Sequence, residues 1–266
     1  MKGDARRGDG RGGRARLGEQ LEIPLPGARA GAEERGPGPE GGDGAAAGNG
    51  AEPGAVEDVP LRSLEYVVVD VETTGGSVYR GDRITEIAAW CLDGSGRVIE
   101  SLETLVNPER PIPPAVTALT RITQEMVADA PRFHEIAEQV HRLLEGRVFV
   151  AHNAAFDWSF VCRELEWATG RAPTGKVLCT VRLSRRVVPE VRSRSLDALT
   201  EYFGVENEAR HRAYGDARAT VEVLRRLFER VAELEIEGWA ALESLLAQRA
   251  PRRRRRTSLP TWMDSV

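Results

Sequence analysis

The hydrophobic pattern opens at residues 64–71, LEYVVVDV, a nearly unbroken apolar run that predicts a buried strand. Residues 83–92 (RITEIAAWCL) and 97–106 predict two more strands, and the turn between them, Asp93-Gly94-Ser95-Gly96, is a hairpin signal. The apolar spacing then changes. Residues 133–144 repeat at helical intervals, 148–151 read as a short buried strand, and 176–180 as a fifth strand. Asp157 opens an amphipathic stretch with Phe160, Val161 and Leu165 on one side. Residues 196–203 and 213–231 predict helices, the second with Leu224, Leu227, Phe228 and Val231 as its stripe. The stretch 232–250, with Leu234, Trp239, Leu242, Leu245 and Leu246, predicts one further helix packed on the core. A hairpin meander followed by strands alternating with helices is a mixed α/β pattern.

The first sixty residues show almost no such periodicity. They hold most of the glycine and are rich in Ala, Pro, Arg and Glu. They cannot bury enough apolar surface to offset chain entropy and read as a disordered extension over 1–60. The folded unit is expected over 61–250, followed by a basic flexible tail, 251–266, that contains the unbroken run Arg252 to Arg256. The net charge of −4 over 266 residues carries no nucleic-acid signature. No apolar segment follows Met1 as a signal peptide would require, and no run is long enough to span a membrane. Cys91, Cys162 and Cys179 are odd in number and lack metal-ligand spacing. They read as reduced core residues of a cytoplasmic protein.

The candidate chemistry begins with Asp70 and Glu72. Residues two apart on a strand share a face, so both carboxylates leave on one side at its C-terminal end. Adjacent like charges repel and lose hydration there, and a divalent cation between them removes both costs. An acidic strand end fraying into solvent is the alternative. Asp157 at a helix start reads equally as a cap, and His211, just before the helix that Asp216 begins, as a structural or solvated residue. In chain order these residues run Asp, Glu, Asp, His, Asp.

That ordered set resembles the DEDDh-type 3′–5′ exonucleases, the family that includes the proofreading epsilon subunit of bacterial DNA polymerase III and ribonuclease T. The first motif, D-x-E-T-T-G, matches Asp70, Glu72, Thr73, Thr74 and Gly75; the second, H-N-x-x-F-D, matches His152, Asn153, Phe156 and Asp157; the third, H-x-A-x-x-D, matches His211, Ala213 and Asp216. Thr120 and Arg121 stand where the family commonly has His and Gly. The resemblance implies a ribonuclease H-like mixed sheet flanked by helices. It implies two Mg²⁺ or Mn²⁺ ions held by Asp70, Glu72, Asp157 and Asp216, with His211 taking a proton from the attacking water. It also implies substrate contacts from Thr73, Thr74, His152, Asn153 and Phe156. For the threonines the alternative is turn chemistry, and for His152 and Asn153 a hydrogen-bonded turn that orders the loop before Asp157. The implied activity is release of nucleoside 5′-monophosphates from a single-stranded 3′ end, DNA favoured, in proofreading beside a replicative DNA polymerase. The tail, with Leu259, Trp262 and Met263 after its arginines, is the expected contact to a polymerase subunit. RNA 3′-end trimming and a non-catalytic interaction module on the same fold are the alternatives.

Overall fold

The computed structural model describes residues 58–207 and 209–248. β1 (Tyr66–Thr73) is the middle strand of five, because its side chains serve two apolar layers in alternation. Val67, Val69 and Val71 enter a core completed by Phe133, Val140, Leu143, Phe160 and Leu165. Tyr66 and Val68 enter the opposite core with Leu183, Leu199, Leu224, Leu227 and Leu242. Each such side chain, fully buried, contributes roughly 1.5–3 kcal/mol. The two layers therefore clamp β1 far more strongly than its ladder bonds alone.

β2 (Ile84–Leu92) and β3 (Val98–Leu105) flank β1 as an antiparallel meander, while β4 (Val148–Ala151) and β5 (Val177–Cys179) add in parallel, giving the order β3-β2-β1-β4-β5. On one face lie α3 (Phe133–Leu144) and α4 (Ala155–Thr169). On the other lie α5 (Thr180–Val187), α6 (Leu196–Phe203), α7 (Ala213–Ala232) and α8 (Trp239–Ala247). α1 (Pro114–Thr120) and α2 (Gln124–Ala128) fill the connection after β3. This is the ribonuclease H-like mixed sheet flanked by helices.

The β1–β2 register slips near the end of β1. Glu72 stands opposite Glu86, but Thr73 stands opposite Ile84, which leaves Thr85 over. Such a bulge bends a strand and re-aims the side chains beside it. The buried Glu164 of α4 fastens this corner: it receives Arg83 Nε at 2.7 Å, Arg83 Nη2 at 2.8 Å and the Ile84 N–H at 3.2 Å.

Several elements differ from the sequence expectation. β1 starts later and runs further than 64–71, so Asp70 and Glu72 lie within the strand rather than at a fraying end. The stretch 232–250 is not one helix: α7 stops at Ala232, Glu235 adopts φ +56°, and α8 starts after Gly238. Leu234 is consequently half exposed, whereas Trp239 and Leu242 do reach the core. Residues 58–60, expected in the extension, belong to the fold. The Asp58 carboxylate accepts the Ala240 and Ala241 N–H groups at 2.7 and 3.2 Å, and the Trp239 N–H donates to the Val59 carbonyl at 3.0 Å. Asp58 thereby caps α8 from the far end of the chain, where Gly238 has no side chain to do so. The rest of the expected extension, 1–57, and the tail 251–266 lie outside the described residues. Among the described residues no helix is long and apolar enough to cross a membrane.

Candidate active site

The alternation that buries Val67, Val69 and Val71 on one side of β1 sends Asp70 and Glu72 to the α7 side, just past Tyr66 and Val68. α7 reaches this strand end because its first turns are small. Ala213 and Ala217 pack on Ala88 of β2. A Cβ on Gly215 would come within 2.2 Å of the Ala209 carbonyl oxygen, so only glycine admits the loop that folds over the helix start. Asp216, in the first turn of α7, is thus delivered to the carboxylates of β1. Ligand oxygens of Asp70, Glu72 and Asp216 lie within 4.8 Å of one another, and all three residues are half-buried.

Asp157 arrives from the other layer, in the first turn of α4. It is buried, and its Oδ1 accepts the Val71 N–H at 3.2 Å. The convergent trio does not include it; one of its oxygens is turned to the backbone of β1 between Asp70 and Glu72.

Burial raises the proton affinity of this whole group. Asp70 is held well above the usual carboxylate range by burial first, then by Asp157, Asp216, Glu72 and Glu86. Glu72 is pushed up to about 8 by burial and the same neighbours, with Arg212 opposing. Asp157 is raised by burial against backbone hydrogen bonds that favour its charged form. Asp216 is raised by burial against hydrogen bonds from the Asn207 amide, at 2.7 Å, and the His211 N–H, at 3.1 Å. The nearby arginines are committed elsewhere, Arg83 to Glu164 and Arg212 to Glu86. A hard, oxygen-lined cluster of crowded carboxylates is the donor set that suits Mg²⁺ or Mn²⁺.

A dependence on pH follows. Between about pH 4, where free carboxylates ionise, and about pH 8, set by Glu72, the folded protein binds more protons than the unfolded chain. The stability of the ion-free protein therefore falls as pH rises through that window. Divalent ions need ionised ligands, so their binding strengthens over the same range. Calorimetry in EDTA should give a lower melting temperature at pH 8 than at pH 5.5. The rise on adding Mg²⁺ or Mn²⁺ should be several degrees at pH 8, about 1–2 kcal/mol for a domain of this size, and close to zero at pH 5. An ion effect equal at both pH values would remove the carboxylates from the ligand set.

The remaining expected site residues divide. His211 lies in the loop before α7, exposed, with φ +59°. Thr73 and Thr74 are buried and their hydroxyls are engaged within the turn. Thr73 Oγ1 donates to the Gly75 carbonyl at 2.6 Å, Thr74 Oγ1 accepts the Arg83 N–H at 3.0 Å, and the Thr74 N–H donates to the Arg83 carbonyl at 2.8 Å. These contacts are turn chemistry: the Thr73 hydroxyl proton is used in it, while the Thr74 hydroxyl acts as an acceptor. His152 is likewise committed. Its Nε2 lies 2.9 Å from the Arg194 carbonyl, which can only accept, and its Nδ1 lies 2.9 Å from Thr180 Oγ1. Burial holds its imidazole below the usual histidine range, which suits this neutral cross-link from the end of β4 to α5 and the loop before α6. Asn153 is exposed at φ +70°, turning the chain into α4. Phe156 is partly buried, its ring 4.9 Å from Phe160.

Sequence reasoning missed Glu86 and its partner Arg212. A signal existed: Glu86 is the one acidic residue in the apolar run 84–92, and a charge inside a buried strand needs a partner or a purpose.

The sequence profile of the exonuclease family matches residues 67–224. A DNA polymerase III subunit epsilon-like protein of Rhodobacter capsulatus is 46% identical over 183 residues, 68% of this chain and 26% of that protein. The 3′–5′ exonuclease DinG of Bacillus subtilis is 39% identical over 174 residues, 65% of this chain and 19% of that protein. The chain thus spans about a quarter or less of the length of these relatives. Among solved structures, exonuclease X in complex with 5′ overhanging duplex DNA superposes with a TM-score of 0.54 at 26% identity, covering 68% of this chain and 99% of that one.

Proposed function

The chain belongs to the exonuclease family matched over residues 67–224, and from that premise we propose that it removes nucleotides from single-stranded DNA 3′ ends as 5′-monophosphates, in proofreading beside a replicative polymerase. The observation that carries this reading is the convergence of Asp70, Glu72 and Asp216 within 4.8 Å, with Asp157 beside them. DNA is favoured over RNA because one structural relative is described in complex with DNA and one relative is a DNA polymerase III subunit epsilon-like protein.

In this reading Asp70, Glu72, Asp157 and Asp216 hold two divalent ions, Mg²⁺ or Mn²⁺. When bound, such ions supply positive charge against the phosphate and the leaving 3′ oxygen and make the attacking water more acidic. His211, exposed at the rim, accepts the proton of that water on its imidazole. Asn153 and Phe156, at the start of α4, face the terminal nucleotide; the committed nitrogens of His152 order the loop behind them. Contact with a polymerase subunit is assigned to the tail 251–266, where the arginine run meets Leu259, Trp262 and Met263.

The test compares matched DNA and RNA oligonucleotides in Mg²⁺, each free, blocked at the 3′ end or blocked at the 5′ end, with a circular single strand as control. Free and 5′-blocked DNA should yield mononucleotides, and 3′-blocked DNA should resist. Faster loss of RNA than of DNA would transfer the activity to RNA trimming. Cutting of the circle would replace the exonuclease by an endonuclease.

A further inference from the structure

Glu86 stands opposite Glu72 across the β1–β2 ladder and is only 2% exposed. It is not one of the converging ligand groups. Both of its oxygens are taken by one short piece of chain at the start of α7. Arg212 Nε lies 3.1 Å from Oε1 and 3.0 Å from Oε2, Arg212 Nη2 lies 2.5 Å from Oε1, and the Ala213 N–H donates to Oε2 at 2.8 Å. Arg212 is the cap residue of α7 and makes no side-chain cap bond of its own. Glu86 therefore caps this helix from a neighbouring strand.

Arg212 is also the residue next to His211. On that side, the His211 N–H is bound to Asp216 Oδ2 at 3.1 Å, and His211 is held at φ +59°. A side-chain-bearing residue stays in the left-handed region only where its surroundings over-determine it. Here the surroundings are two anchors, Asp216 on the His211 amide and Glu86 on the Arg212 guanidinium. Helix capping alone does not call for this arrangement, since a local Ser or Asp serves that end. Net stability does not call for it either, because buried ion pairs recover little beyond their desolvation cost. A guanidinium gripped along its edge does fix orientation, which a lysine ammonium cannot.

We propose that Glu86 and Arg212 are positioning residues that set the place of the His211 imidazole beside Asp216, without themselves touching substrate or ions. The proposal rests on the exonuclease reading above. Misplacement by about 1 Å can cost on the order of 10²-fold in rate.

The test measures kcat and KM on a single-stranded DNA oligonucleotide for R212K, E86Q, H211A and the doubles R212K/H211A and E86Q/H211A. Mn²⁺ affinity and the imidazole carbon–proton NMR signals of the four histidines are recorded alongside. R212K and E86Q should each lower kcat by roughly 10- to 100-fold with KM nearly unchanged, and R212K, which keeps the charge, should leave Mn²⁺ affinity nearly unchanged. The signal that vanishes in H211A should shift or broaden in R212K. Added to H211A, either substitution should cost less than about twofold, because the group being positioned is already gone. Losses that multiply with that of H211A would place the pair's effect on the metal ligands and overturn the proposal. An unmoved His211 signal in R212K would overturn it whatever the activity, including in a protein with no 3′-end activity at all, where the exonuclease reading fails separately. Should a single variant unfold, E86L/R212M removes both charges and leaves none buried alone; it should fold, move the His211 signal and show the same kcat loss. Wild-type kcat in that double would equally reject the proposal.

Discussion

Asp70→Asn should lower hydrolysis of single-stranded DNA in Mg²⁺ by about 10³-fold or more, equivalent to roughly 4 kcal/mol of lost transition-state stabilisation. Asp70 is central among the acidic groups: its proton affinity is raised by Asp157, Asp216, Glu72 and Glu86 together, after burial. It also lies with Glu72 and Asp216 in the group whose ligand oxygens converge within 4.8 Å, so it is placed to share an ion with them. The same substitution removes one of the charges that repel one another in the ion-free protein. Its melting temperature in EDTA at pH 8 should therefore rise by a few degrees over wild type, while the further rise on adding Mn²⁺ shrinks. Opposite movements of activity and stability separate loss of a ligand from loss of the fold. A variant with near wild-type turnover would remove Asp70 from the site, and a lowered melting temperature in EDTA would contradict the repulsion argument.

His211→Ala should lower kcat by roughly 10²–10⁴-fold, the usual cost of a missing general base. The reason to expect little else is geometric. His211 is exposed, its amide rather than its ring is bonded to Asp216, and no core contact depends on its side chain. Mn²⁺ affinity and melting temperature should stay close to wild type. Titration calorimetry with Mn²⁺ beside single-turnover kinetics decides the matter: equal losses in binding and turnover would make His211 part of the ion site, and no loss in either would leave it a solvated loop residue.

The elements that were legible in the sequence share strong patterning. Residues 133–144, 148–151 and 196–203 have the bounds that their apolar spacing predicts, because the residues that set the spacing, such as Phe133, Val140, Phe149 and Leu199, are those the core buries. The shared face of Asp70 and Glu72 followed from strand alternation alone. What was not legible has physical causes as well. The helices 114–120 and 124–128 are too short to repeat an apolar stripe. The helix 180–187 buries Thr180, Leu183 and Ser184, two of them polar, so its inner face looks like an outer one. The single helix expected over 232–250 breaks where Glu235 enters the left-handed region, which a glutamate does not announce. In the site, residue types matched to motifs could locate side chains but not their hydrogen bonds. The hydroxyl proton of Thr73 and the nitrogens of His152 are spent internally, and the Thr74 hydroxyl accepts the Arg83 N–H, none of which residue types disclose. Glu86 escaped because nothing in the chain near it hints that its partner lies 126 residues away.

The cap that Asp58 places on α8 has a consequence for how the fold closes. It brings residue 58 against residues 240 and 241, and from there the chain enters β1 at Tyr66, the end away from Asp70 and Glu72. The acceptor and the helix it caps stand 182 residues apart in sequence, so this contact forms only when both edges of the folded unit are present together. A cut just after residue 58 would remove no buried apolar side chain among the described residues, yet it would strip α8 of its acceptor and loosen the helix that brings Trp239 and Leu242 to the core.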